Sequence, residues 1–182
     1  MKKIITIFLA FFFISTSSYS NENEIRLNNL FEKLKIQNHS IAIDTEMKIW
    51  DIWTKHPTNQ NLTSLLSRGT KFMNQEQYSV AVDIFTTVIK KDPAWAEAWN
   101  KRATVLYLMG KYELSQADID KVLLIEKRHF GALTGQGLVQ TGLKNYEKAI
   151  DSYIEAHKVH PFLKSPMIMM EKLQIELQKQ SI

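Results

Sequence analysis

Residues 96–129 read AEAWNKRATVLYLMGKYELSQADIDKVLLIEKRH, and a similar pattern of small and large residues stands 34 residues before and 34 residues after them. With Ala96 as position 1, Trp99 falls at position 4, Ala103 at 8, Leu106 at 11, Tyr112 at 17, Ser115 at 20, Ile119 at 24 and Val122 at 27. One period earlier those places hold Leu65, Gly69, Phe72, Tyr78, Ala81, Phe85 and Val88. One period later they hold Leu133, Gly137, Gln140, Tyr146, Ala149, Tyr153 and Ala156. Self-similarity at this period, with apolar residues three and four apart inside each half, predicts stacked helical hairpins: repeats at 62–95, 96–129 and 130–163.

Small residues at positions 8 and 20 predict close approach of the two helices in each hairpin: Gly69 with Ala81, Ala103 with Ser115, Gly137 with Ala149. Large residues at 4, 11, 17 and 24 then fill the space between hairpins, so Trp99, Phe72, Tyr112 and Phe85 read as core. The first helix of repeat one should end near Met73-Asn74 and the second begin near Gln77. Asp92-Pro93 reads as an N-cap followed by a proline that loses no helical donor. Gly110 and Gly142 read as the residues that stop the first helices of their hairpins, and Asn145 as a cap. Lys127 replaces proline and predicts a looser junction. Ser165-Pro166 reads as the cap of a final helix within 164–182, whose apolar line Met167, Met170, Leu173 and Leu177 would close the stack.

Upstream, Ile25, Leu27, Leu30, Phe31 and Leu34 predict an amphipathic helix over 21–38, and a second is expected over about 41–56 with Ile43, Met47, Trp50 and Trp53 near one face. Residues 21–61 therefore form a helical hairpin with its linker, either a degenerate repeat or an unrelated cap. Residues 1–20 have the three regions of a secretory signal: Lys2 and Lys3, the apolar run 4–14, and small residues at Ser18 and Ser20. The run is short for a membrane span. Cleavage is expected after Ser20, with an uncleaved anchor as the alternative, and an exported, periplasmic or envelope-associated location follows.

The chain has a net charge of +4; taking Lys2 and Lys3 from its 23 basic residues leaves 21 against 19 acidic ones, or +2. These charges are interspersed, so no nucleic-acid stripe is present. With no cysteine there is no disulfide framework.

The periodic residues resemble those of the tetratricopeptide-repeat family, and 94–138 resembles small exported repeat proteins of Gram-negative bacteria. The likeness covers 62–163 well and 25–57 poorly. Arg68, Arg102 and Gln136 depart from it at position 7, Gln140 at the bulky position 11, and Lys127 at the proline. The resemblance implies an all-α solenoid of antiparallel hairpins whose concave face, lined by the first helix of each pair, holds an extended peptide or a partner helix. It implies a face made of Thr63, Leu66, Thr70 and Met73, then Glu97, Asn100, Thr104 and Tyr107, then Gly131, Thr134, Leu138 and Thr141. That lining is neutral and rich in hydroxyls. Family members that clamp a C-terminal carboxylate place Lys, Arg and Asn there; only Asn100 matches, so that ligand class is set aside. Asn100 is expected to bond a peptide backbone, with Tyr107 and Met73 in apolar contact.

Other groups point elsewhere. His157 and His160 could share a face, yet a structural zinc needs four ligands and no third is evident. Trp50 and Trp53 read as packing residues rather than a ligand cage. Asp118 and Asp120 stand two apart, point in different directions on a helix, and read as solvated charge. No phosphate loop, serine elbow or cysteine nucleophile is present, so neither a catalytic residue, a metal nor a cofactor is expected, and no small-molecule substrate. The function expected is a non-catalytic protein-interaction scaffold with a protein or peptide partner. The rival is an assembly subunit of an envelope complex that uses its N-terminal or convex surface, with Trp50 and Trp53 at the interface.

Overall fold

The computed structural model describes residues 22–36 and 38–180, so the signal segment expected over 1–20 lies outside it. The chain divides into two compact units, 1–60 and 61–182. All regular structure among the described residues is helical.

In the first unit, α1 (22–34) buries Leu27, Phe31 and Leu34. The second helix, α2 (His39–Thr54), is capped by Asn38, whose side chain accepts from the Ile41 N–H at 3.2 Å. Phe31 and Trp53 meet at 6.0 Å, and Trp50 stands edge-on to Trp53 at 5.3 Å. Trp53 is buried and Trp50 gives its indole N–H to Glu46. The face expected on α2 is partly wrong. Ala42, Thr45, Ile49 and Trp53 are the buried set, while Ile43 is 49% and Met47 66% exposed. Small Ala42 and polar Thr45 take the inward places, which a hydrophobicity pattern ranks below Ile43 and Met47.

The second unit runs α3 (Gln60–Asn74), α4 (Tyr78–Lys91), α5 (Ala96–Leu108), α6 (Tyr112–Ile125), α7 (Phe130–Gly142), α8 (Tyr146–Val159) and α9 (Lys164–Gln180). Helix α5 packs on α4 and α6, α7 on α6 and α8, and α9 on α7 and α8. Odd helices thus form one layer and even helices the other. Of the expected small-residue pairs, Ala103 and Ser115 meet directly, whereas what Gly69 and Gly137 make room for is an aromatic ring of the facing helix. A Cβ on Gly69 would lie 2.5 Å from the Phe85 ring, and one on Gly137 2.4 Å from the Tyr153 ring. In the middle hairpin Ser115 Oγ donates to the Ala103 carbonyl at 2.8 Å, joining the two helices.

Three of the polar residues that break the repeat pattern, Arg102, Gln136 and Gln140, find partners across helices. Arg102 grips Asp118 with Nε and one terminal nitrogen, both at 2.8 Å, and reaches Thr86 at 3.0 Å with the other. It also lies over the Trp99 ring. Asp118 is therefore a buried member of an ion pair and not solvated charge. One repeat later, Ser152 Oγ stands 3.2 Å from Gln136 Oε1 across the equivalent helix pair, its single proton shared with the Lys148 carbonyl at 2.8 Å. Gln140, buried at the bulky position, donates to Gln116 and accepts from Asn145, so a polar side chain fills an apolar place without an orphaned group.

The connections correct several expectations. Left-handed residues recur at Glu76 (φ 59°), Gly110 (φ 71°) and Lys144 (φ 61°), one period apart. Gly110 is as expected. Gly142 is the last residue of α7, and its missing Cβ makes room for the Tyr112 ring, 2.8 Å from where that atom would stand. Asp92 is no N-cap: it ends α4, and its carboxylate accepts from the Ala94 N–H to close a turn before α5 begins at Ala96. Asn145 precedes α8 without capping it, because its amide is bonded to Gln140. Ser165 and Pro166 lie inside the first turn of α9, where proline still forfeits no donor. The Lys127 junction forms the same turn as its neighbours, held by Glu126, which accepts from the Arg128 backbone and guanidinium. On α9, Leu173 is buried, and Met169 and Met170 pack on the Tyr153 cluster. Met167, expected in that line, is 47% exposed.

Candidate peptide-binding face

Helices α5 and α7 lie side by side in the odd layer and enclose a depression of about 50 Å³. Asn100, Thr104 and Tyr107 line it from α5, and Gly131, Gly135 and Leu138 from α7. Ala103, Ser115 and Ile119 lie deeper. That volume is several times the roughly 10–15 Å³ in which one water fits. Five residues expected on this face, Asn100, Thr104, Tyr107, Gly131 and Leu138, are thereby brought together.

Beside the depression is a buried polar cluster. His129 precedes α7 and accepts from the Ala132 N–H on Nδ1 at 3.1 Å. Nε2 therefore carries a proton and donates it to Glu97 Oε2 at 3.1 Å. The same carboxylate accepts from the Asn100 amide at 2.9 Å, and Lys101 Nζ stands 3.1 Å from its other oxygen. Burial alone would raise the Glu97 pKa. The His129 hydrogen bond and the Lys101 charge outweigh it and hold the carboxyl below its ordinary value. Glu97 is thus ionised and inaccessible at neutral pH. It orients Asn100 instead of meeting a ligand, which corrects its place on the face.

The remaining expected residues divide by depth. Leu66 is 2% exposed and belongs to the core of α3, α4 and α5, so it too leaves the face. Met73 is half-buried against that core. Thr70, Thr104, Thr134 and Thr141 each donate the hydroxyl proton to the carbonyl four residues back, with O···O distances of 2.7–3.1 Å. Their oxygens remain acceptors but their protons are committed, so a hydroxyl-rich lining is less of a donor surface than its sequence implies. Tyr107 packs on Tyr112 at 5.7 Å. Thr141 lies near Tyr153, whose phenol burial pushes above its ordinary pKa, the Thr141 contact opposing.

Sequence reasoning missed His129 and Gly135. The first occupies the variable last position of its repeat, and only its spacing of 32 residues from Glu97 could have marked the pair. The second sits inside a helix where no turn is needed. As for the other histidines, His160 is buried with its ring edge-on to Phe130 at 5.1 Å, and His157 is half-buried.

No protein-family model matches the chain. A TPR repeat-containing protein of Rhizobium etli is 32% identical over 74% of this chain and 69% of its own length. Among solved structures, the first TPR of Spaghetti (RPAP3) bound to the HSP90 peptide SRMEEVD superposes with a TM-score of 0.63 at 20% identity, covering 65% of this chain and 94% of that one. The Yersinia enterocolitica type III secretion chaperone SycD, in complex with a peptide of the translocator YopD, gives 0.61 at 12% identity, covering 67% and 98%. At those identities the two likenesses are of fold.

Proposed function

We propose that this chain, which belongs to the tetratricopeptide-repeat family, is an exported, non-catalytic interaction scaffold that holds a segment of a partner protein on the face of α5 and α7. The observation that carries the reading is the depression between those helices, with Asn100, Thr104, Tyr107 and Leu138 around it. An extended segment laid across it would find acceptor oxygens for its backbone N–H groups and one recess for a side chain. Two neighbours of the same fold hold peptides, which supports the reading. The affinity expected for a single segment is about micromolar, roughly 8 kcal/mol. Such binding suits a component that acts within a larger assembly. The export part of the proposal rests on residues 1–20, and a mature protein whose mass begins at Asn21 is its expected signature.

A photoreactive residue at Tyr107, with the same probe at exposed Lys121 on α6 as control, tests the face in the native cell envelope. A discrete adduct from position 107 alone is expected. Adducts from position 121 alone, or from neither, would refute this face as the binding site.

A second reading, an assembly subunit using its N-terminal surface, draws on a different observation. Trp53 is buried and lends that rival nothing, but Ile43 and Met47 leave an apolar stripe on α2. Met47→Lys that spares the Tyr107 adduct while releasing the protein from its assembly would favour it.

A further inference from the structure

Four of the glycines in the odd helices, Gly69, Gly135, Gly137 and Gly142, fall into two kinds. Gly69, Gly137 and Gly142 are demanded by packing, since an aromatic ring occupies the place of each missing Cβ. Gly135 is different. It lies in the interior of α7, and the atom nearest to a Cβ there would be Ile119 Cδ1 at 3.7 Å, ordinary contact distance. Alanine would fit and would make a more stable helix. The fold has no use for glycine at this position, but the depression on the α5–α7 face has, because Gly135 forms part of its wall.

The chemistry around that wall is neutral. None of the residues lining the depression is charged. Helix α5 carries two cations, Lys101 paired with Glu97 and Arg102 paired with Asp118, and α7 carries none. An amide hydrogen of Asn100 is committed to Glu97, and the hydroxyl protons of Thr104 and Ser115 to helix carbonyls. A chain-terminal carboxylate entering here would lose its hydration and gain no cation, an unfavourable exchange. An aliphatic side chain loses nothing polar and would cover Leu138, Ala103 and Ile119.

We infer that Gly135 keeps open a socket for one uncharged aliphatic side chain, and that the segment bound is internal to its partner instead of a free C-terminus. The inference rests on the reading of α5 and α7 as the binding face. Gly135 is then a specificity-determining residue, retained at a cost in helix stability.

The test uses the full chain and a library of N-acetylated decapeptides made as matched C-terminal acids and amides, with affinities of selected peptides measured by calorimetry. The expected result is enrichment of Leu, Ile, Val or Met at one fixed position, with acid and amide binding within about twofold of each other. Gly135→Ala should raise the melting temperature by about 2–4 °C, as a gain in helix propensity does for a chain of this size, while weakening the selected peptides several-fold. Gly135→Leu should abolish their binding. A tenfold preference for the acid, a fall in melting temperature for Gly135→Ala, or unchanged binding in both variants would overturn the inference. If Gly135→Leu fails to fold, Gly135→Ala decides alone. Failure of the library to yield any binder, together with a silent probe at Tyr107, would overturn the binding face itself and the socket with it. Binders that crosslink at Tyr107 yet show no enriched aliphatic position would overturn the socket only.

Discussion

Glu97 shows how one buried carboxylate can be misplaced by a repeat pattern and still tie α5 to the start of α7. Its position in the repeat points to the open face, but His129 arrives from the following junction and draws it inside. Because its folded pKa lies below the ordinary value of 4.5, the ionised form is favoured by folding. The stabilisation is then present above about pH 4.5 and is lost as pH falls through the lower folded value. Denaturant titrations at several pH values should show stability declining below about pH 4.5 in the wild type and a flatter profile in Glu97→Gln. Glu97→Ala should lose roughly 1.5–3 kcal/mol, the range for a hydrogen bond to a charged group. It should also release Asn100 and weaken binding, which a purely structural loss at a distant core position would not do. Gly69 is the opposite case, since its role was legible. Its missing Cβ meets the Phe85 ring, so Gly69→Ala should cost about 1–3 kcal/mol by overpacking, read as a lower denaturation midpoint.

At the scale of helices and turns, hairpin positions followed from the period because small and large residues alternate where two helices must touch. Caps did not follow. Asp92, Asn145 and Ser165 are cap-forming types, yet each is engaged otherwise, by a turn, by a glutamine or by a helix that begins before it. Residue type specifies that a polar group needs a partner, and tertiary neighbours decide which. The left-handed turn residues were legible only at Gly110. Glu76 and Lys144 adopt the same conformation with a Cβ present, a cost of roughly 1–2 kcal/mol at each. Glu76→Gly and Lys144→Gly should therefore stabilise the protein by up to about that amount, less the added freedom of the unfolded chain. Thermal melts of the single and double variants check this, and the two effects should add, the turns being remote from each other. Arg102 was legible as a departure from the family pattern while Asp118 read as solvated charge, and neither was legible as the other's partner. A double-mutant cycle on the pair should give a coupling of about 1–3 kcal/mol, large because Asp118 is buried.

For the whole chain, the period was enough to give the fold of the second unit, while the candidate site was only half visible. Asn100, Thr104, Tyr107 and Leu138 came from the repeat frame; the burial of Leu66 and Glu97 depended on neighbours no frame contains. Helix α9 covers Tyr153 through Leu173, Met169 and Met170. Truncation after Leu163 should uncover that surface, giving a broader, earlier melt and binding of a hydrophobic dye. The same helix leaves Ile168 and Ile175 half-exposed, so its outward side is less polar than the end of a repeat stack normally is.

The bonds that cross between helices also set how the molecule would yield under tension. Thr86, Arg102 and Asp118 fasten α4, α5 and α6, and Glu97 with His129 fastens α5 to the start of α7. Helix α9 is held by apolar contact with α8, which shears more readily than charged hydrogen bonds in a buried site. Pulled from its C-terminal end, the chain should peel α9 and then α8 at low force, and pause when the load reaches the fastened middle. A partner tugging on a segment seated between α5 and α7 would thus be gripped by the part of the molecule that gives way last.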